Sequence, residues 1–259
     1  MTLRKKALLS ISLTGVVLTI CLIYICSSLI SSDADLSDAQ SARLSVKSAS
    51  TLLASETAAL ADIAKQYAAD AEIRTVLPKK RAAGYLKIRF TEELLERSRI
   101  NIVLFAVGPG KIIFSTGFDN KGESKSSLLK FLTASPDWQT MFLSADNFPI
   151  RHQGLWQVEN KIFIFASSPV TARTNPDRIS GKIILGRLLD LSLLFQTPGN
   201  GYDKFSLHPL AGSKLPAGRQ NILNTLNAGS PVYITAVNDS NLAAYSLIKD
   251  ISGKPGFLL

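Results

Sequence analysis

The sequence predicts an α+β fold: a long N-terminal membrane and stalk helix followed by an antiparallel sheet with helices inserted between its hairpins. Three observations lead there. Between Lys6 and Asp33 the chain runs 26 residues without a charge, enough for a helix rising about 1.5 Å per residue to cross a bilayer. From Asp33 to about Tyr67 it contains neither Gly nor Pro. Beyond Arg99, short runs rich in β-branched and aromatic residues alternate with turn signals.

Arg4, Lys5 and Lys6 precede the apolar run, while Asp33, Asp35 and Asp38 follow it. The positive-inside bias then leaves residues 1–6 in the cytoplasm, 7–32 as a transmembrane helix and the rest outside. A cleaved signal peptide is the competing reading. Its apolar stretch would be shorter and would end at a small-x-small cleavage site, for which only Ser27, Ser28, Ser31 and Ser32 offer material. The two cysteines, Cys21 and Cys26, lie inside the run, each preceded by Ile where a lipoprotein signal carries a small residue. The outer portion has no cysteine, so its core alone must hold it together, and a 46% hydrophobic composition makes that feasible.

Residues 33–99 read as a membrane-proximal helical region. Val46, Leu53, Leu60 and Tyr67 recur every seven residues, Ala39 extends the step backward, Ala49 and Ile63 take the second seam position, and Glu56 interrupts it. Such a seam can pack on a second copy, giving a homodimer, or cover the domain's own sheet. Pro78 and Gly84 break the pattern before a second helical stretch from Tyr85 to Arg99.

Residues 100–259 then form the sheet region. Ile100 to Val107 and Lys111 to Ser115 flank the turn Gly108 Pro109 Gly110, which predicts a hairpin. Helical pieces are expected at Ser126 to Leu132 and Asp137 to Leu143, with a loop opened by Pro149. Strands follow at Leu155 to Val158, Lys161 to Ser168 and Lys182 to Arg187, then a short helix from Leu188 to Phe195. Further strands at Tyr202 to Leu207, Pro231 to Val237 and Leu242 to Lys249 surround a helix from Ala217 to Asn227. The abrupt end at Phe257 Leu258 Leu259, after the turn-like Ser252 to Pro255, reads as the front of a longer protein, cut before a second span.

Several segments together resemble the type-four CHASE domain. They are Ile100 Asn101 Ile102 through Gly110 Lys111 Ile112, the strand ending Ala166 Ser167 Ser168 Pro169 Val170, Gly181 Lys182 followed by Gly186 Arg187 Leu188 Leu189 Asp190, and the terminal Leu247 to Pro255. The resemblance covers roughly Ser45 to Leu259. It implies an extracytoplasmic sensory module of PAS/Cache-like type between two membrane spans, ahead of a histidine kinase or cyclic-dinucleotide output domain. The location implied is an inner or plasma membrane with the domain facing the periplasm or exterior. Where family members commonly carry a Trp-Asp-Asp-Thr-Tyr-like motif, this chain has Tyr67 Ala68 Ala69 Asp70 Ala71 Glu72. That departure marks a divergent member.

Catalysis finds no support in the residues, so no enzyme is expected in this segment. The two histidines, His152 and His208, sit in different loops, and neither a metal-ligand spacing, a nucleophile elbow nor a phosphate-binding glycine pattern occurs. No metal or cofactor is expected. The net charge of +9 is scattered without a basic-aromatic module, which argues against nucleic acid. The candidate ligand surface consists of Arg151, His152, Trp156, Arg173 and Arg187 near strand ends, where arginine forks suit a small anionic ligand. Each has a plainer alternative: Arg187 as an ion pair with Asp190 or another acid, and the tryptophans, Trp138 included, as core or rim aromatics. A membrane-anchored structural or assembly module without a small ligand is the second functional reading.

Overall fold

A computed structural model describes residues 3–79, 81–117, 129, 132–172, 175, 177–191, 205–210, 219–227, 230–238 and 241–259, with the side chains of 3–17, 23, 25–37, 219, 220 and 227 outside that description. Helix α1 is continuous from Leu3 to Ala69. From Asp33 onward its continuity follows from the absence of Gly and Pro, because nothing in that part removes a backbone donor or loosens the chain. Among the described residues no helix is long and apolar enough to cross a membrane. The long helix is therefore present, but the span assigned to 7–32 is not found, and most of that segment's side chains lie outside the described residues.

Asp70 stops α1 and starts α2 (Ala71–Val76): its Oδ1 accepts from the backbone N–H groups of Glu72 at 2.8 Å and Ile73 at 3.1 Å. The predicted helix from Tyr85 to Arg99 is two helices, α3 (Ala82–Arg89) and α4 (Glu92–Arg97). Thr91 divides them, because its hydroxyl accepts from Leu94 N and fixes a new helix start in mid-pattern.

The sheet that follows is five-stranded, antiparallel and ordered β2-β1-β5-β4-β3, from β1 (Ile102–Ala106), β2 (Ile112–Gly117), β3 (Gln153–Val158), β4 (Lys161–Thr171) and β5 (Ile179–Leu188). Its central strands bury both faces. Val103, Phe105, Ile164, Ala166, Ile183 and Leu185 face the α1 to α4 layer, while Ile102, Leu104, Phe163, Phe165 and Ile184 face α5 (Pro136–Leu143). That two-sided burial explains why β1 and β5 read as continuous apolar runs rather than alternating ones.

Val46, Leu53 and Leu60 are buried, Leu60 completely, in the core beneath this sheet, and Tyr67 packs edge-on against Phe90 at 5.0 Å. The heptad face covers the domain's own sheet. As a seam between two copies Val46, Leu53 and Leu60 are corrected, since a side chain already enclosed by its own strands has no surface left for a partner, while Tyr67 is half-buried.

The C-terminal part adds β6 (His208–Pro209), α6 (Arg219–Asn227), the hairpin β7 (Tyr233–Asn238) and β8 (Asn241–Tyr245), then β9 (Leu247–Lys249) and β10 (Pro255–Leu258). Strands β6, β10 and β9 form a three-stranded sheet in that order. The predicted strand Leu242 to Lys249 is thus two strands in different sheets, and Phe257 to Leu258 pairs with both neighbours instead of trailing away. The helix predicted at Ser126 to Leu132 and the start of the strand predicted at Tyr202 fall largely outside the described residues, and of the helix predicted at Leu188 to Phe195, Leu188 instead ends β5 while residues 192–195 lie outside them.

Candidate functional site

Of the five residues expected to form a ligand surface, the four that are described do not come together. Arg187 and Lys182 share β5 but, five positions apart on a pleated strand, point to opposite faces. Arg187 points at α1, where its Nη1 donates to Glu56 Oε2 at 2.7 Å, Nε to Arg99 O at 3.0 Å and Nη2 to Ser98 O at 3.2 Å. Its fork is fully engaged within the chain. The acid is Glu56, the residue that interrupts the heptad, and not Asp190. Trp156 pairs across the sheet with Phe163 and is half-buried on the α5 face, Arg151 is exposed, and Arg173 lies outside the described residues.

His152 leads to a different constellation. Its backbone N–H donates to Ser167 Oγ at 3.1 Å and its carbonyl accepts from Ser167 N at 2.7 Å, so the start of β3 is clamped to β4. The ring packs edge-on to Phe142 at 5.9 Å. Phe142 belongs to α5, which begins at Ser135 with Pro136 in its first turn, a pairing that favours a helix start. Four residues apart on that helix, Trp138 and Phe142 share one face and stack at 5.0 Å.

The third member is Lys182, fully buried although it is a lysine. Its Nζ lies 5.8 Å from the Phe142 ring centroid and donates to Asn147 O at 2.9 Å. That carbonyl is held in place by its own loop, since Asn147 Nδ2 donates to Thr140 O at 2.9 Å and Ser144 Oγ accepts from Asn147 N. Among the described residues no carboxylate pairs with Lys182. Burial lowers its pKa to about 8. Burial also lowers that of His152, helped by the Lys182 charge and opposed by a hydrogen bond to the Asn147 backbone.

Two buried nitrogens of this cluster, Trp138 Nε1 and His152 Nε2, have no hydrogen-bond partner among the described residues, a state shared by Ser168 Oγ on β4. Leaving a buried polar group unpaired costs roughly 1–3 kcal/mol, and this cluster holds two of the three. A second region, a cleft of about 500 Å³ between α1 and the C-terminal strands, is lined by Leu53, Thr57, Leu155, Ile248 and Asp250. Its polar groups are satisfied internally: Thr57 Oγ1 donates to Leu53 O, and Asp250 Oδ1 accepts from Ser252 and Lys254. The Lys182 cluster is therefore the better candidate.

Sequence reasoning missed Lys182 as a site residue. The signal was available in Gly181 Lys182 Ile183 Ile184 Leu185, a lone cation in an apolar strand. The divergent segment Tyr67 to Glu72 does structural work, since Asp70 Oδ2 meets Arg89 Nη2 at 3.2 Å and Tyr85 Oη donates to Glu72 Oε2 at 2.5 Å.

Three solved structures are similar at low identity. The extracellular domain of the candidate histidine kinase vpHK1S-Z8 is 15% identical with a TM-score of 0.46, over 83% of this chain and 94% of that one. A domain of a candidate sensory box/GGDEF family protein from Vibrio parahaemolyticus is 14% identical with a TM-score of 0.45, over 82% and 93%. The periplasmic domain of Vibrio cholerae LuxQ is 9% identical with a TM-score of 0.42, over 80% and 93%. No curated protein matches. The model of the CHASE4 domain matches residues 52–198, more than half of the chain and all five strands of the central sheet, and the chain belongs to the CHASE4 domain family.

Proposed function

We propose that this chain is the extracytoplasmic signal-sensing domain of a membrane-bound signal-transduction protein, of the histidine kinase or cyclic-dinucleotide class, anchored by residues 7–32 with its N-terminus in the cytoplasm. Membership of the CHASE4 family supports sensing. The observation that carries the reading is α1 itself, one helix that joins the apolar segment to the floor of the sheet. Within that segment Leu18, Ile20, Leu22 and Tyr24 are all exposed, Tyr24 at 76%. They sample different sides of the helix, so apolar side chains there have no protein cover, as a lipid-facing helix requires.

A signal would act by favouring one of two arrangements of α1 against the sheet, which requires a ligand with different affinity for the two. A homodimer through α1 would use its outer face, where Leu44 and Leu52 are exposed, and not the enclosed face. Reporter fusions after Asp38 test the topology: activity only when exported supports the reading. Cleavage of the native protein near Ser32 would replace the anchor by a signal peptide, and a stop codon directly after Leu259 would favour an anchored assembly module.

A further inference from the structure

We propose that the cleft between α1, β3 and β9 is a binding site for a short uncharged peptide, held in extended conformation by the open strand edges on its two sides. Both walls are edges: β3 ends the five-stranded sheet and β9 ends the three-stranded one. They meet at one point, where Leu155 bridges Asp250 in parallel and Ile251 N donates to Leu155 O at 3.0 Å. Gly154 permits that contact, because a Cβ there would lie 2.6 Å from Ile251 Cα. Ile248 packs with the α1-side core and Ile251 is buried in the α5-side core, so residues 248–251 wrap round the edge of β3 and pin the junction. Upstream of it the two strands part, and the cleft of about 500 Å³ opens between them.

Backbone parity turns hydrogen-bonding groups into that space. On β3, His152 O accepts from Ser167 N at 2.7 Å and Val158 faces Lys161 across a two-residue turn, so the even-numbered residues pair with β4 and the odd-numbered ones face outward, as Leu155 does. Gln153 is the next outward residue. On β9, Ser246 exchanges both backbone bonds with Leu259, at 3.1 and 3.0 Å, which turns Leu247 and Lys249 away from β10 and toward β3. Among the described residues no backbone bond joins Gln153 to Leu247 or Lys249. The ladder begun at Leu155 is left open at its next rung.

Open rungs on two facing edges call for one chemistry, a backbone that offers donors and acceptors to either side. An alkyl chain would leave them unmet. The floor fits the same occupant: Ser50, Leu53, Ala54 and Thr57 form one stripe of α1 about 10 Å long at 1.5 Å per residue, the span of about three extended residues. The hydroxyls of Ser50 and Thr57 donate to Val46 O and Leu53 O within the helix, so the floor makes no demand for a polar head group. Lys249 and Asp250 bring one charge of each sign to the lining, which an uncharged peptide leaves balanced. The junction at Leu155 closes one end of the cleft, so the occupant is a free peptide with an end there and not a loop of a folded partner.

The test is calorimetry and thermal unfolding of the full chain in lipid nanodiscs with acetylated, amidated pentapeptides that alternate threonine with alanine, valine or leucine. The same peptides N-methylated at alternate residues, and 1-octanol, are the comparison probes. At least one parent peptide is expected to raise the melting temperature and bind saturably. N-methylation, which removes the donors to one edge, is expected to weaken that binding at least 10-fold, and octanol is expected not to displace the peptide. Gln153→Pro deletes an outward N–H on an edge strand and leaves the β3–β4 ladder intact, so it is expected to weaken binding about 3- to 10-fold, as for one neutral hydrogen bond. Ala54→Trp, at an exposed position of α1, fills the floor and is expected to abolish binding without lowering the melting temperature of the unliganded chain.

No binding of any parent peptide would overturn the inference, as would equal binding of the N-methylated forms, which would mean that the backbone is not read. Displacement of the peptide by octanol would overturn the ligand class in favour of an apolar chain. Undiminished binding by folded Ala54→Trp would put the peptide elsewhere and overturn the site. The sensor reading stands in each case, because the topology fusions test it separately.

Discussion

Burying Lys182 makes the stability of the unliganded domain depend on pH in a direction opposite to that of a paired lysine. Its folded-state pKa is about 8 against 10.5 for the free side chain, so between those values the unfolded chain binds the extra proton and the folded state gains as pH rises. The full gain is about 3 kcal/mol at 1.36 kcal/mol per unit, of which about 2 kcal/mol accrues between pH 7 and 9.5. Above pH 10 the trend reverses. Tyr67 is raised by burial, and Tyr85 is raised to about 12 by burial and its bond to Glu72, so the folded state then holds protons that the unfolded chain has lost. Urea unfolding of wild type and Lys182→Met at pH 7.0 and 9.5 isolates the lysine, because the tyrosines are common to both. His152 is lowered and titrates below that window. Wild type is expected to gain about 2 kcal/mol relative to Lys182→Met over the interval. Parallel profiles would refute the claim that the ammonium is buried without a counter-ion among the described residues.

Other perturbations test the frame that positions the cluster. Arg187→Ala leaves Glu56 unpaired and the carbonyls of Ser98 and Arg99 without a donor, so equilibrium unfolding should show a loss of about 2–4 kcal/mol. Glu56→Gln, at a side chain 35% exposed, should cost about 1 kcal/mol or less. Gly181→Ala places a Cβ 2.7 Å from Ala106 O and 2.2 Å from the Leu77 side chain, and a backbone carbonyl inside the sheet cannot yield, so about 1–3 kcal/mol should be lost in the same assay. Single cysteines at Val46, Leu53 and Leu60 should fail to cross-link two copies in membranes, and efficient disulfides at a seven-residue spacing along that face would contradict the packing found for α1.

Much of the sheet was legible because its signals are local. The turn Gly108 Pro109 Gly110 joins β1 and β2, with Gly108 and Gly110 at positive φ, and Glu159 Asn160 joins β3 and β4. What escaped depended on long-range pairing. Pro255 read as the end of a turn from Ser252, yet β10 begins there, because β6 and β9 approach from either side. The seven-residue step in α1 identified the apolar face correctly and could not say what covers it. Over three steps a heptad and an ordinary 3.6-residue period differ by only about 20° each, so one stripe serves a sheet or a second helix equally well. Arg187 and His152 part company for a related reason: both lie near strand ends as read from the sequence, but strand parity sends Arg187 to the α1 face and His152 lies with the opposite layer.

That same parity gives β5 its place in the molecule. Arg187, on one face, ties the strand to Glu56 of α1 and to the α4–β1 connection. Lys182, on the other, ties it to the loop after α5 through Asn147 O. Between them Ile183, Ile184 and Leu185 are completely buried in the two cores. A strand packed this tightly does not bend to accommodate a change at one end; it moves with its neighbours or not at all. An event that alters the position of Lys182 relative to Asn147 must then be absorbed either by the loop after α5 or by the junction of Arg187 with Glu56. The loop is the softer of the two, held by side-chain bonds from Ser144 and Asn147, whereas Arg187 is only 14% exposed and makes three bonds. A change at Lys182 is therefore taken up by the loop before it reaches α1, and it is passed to α1 only when that loop is held.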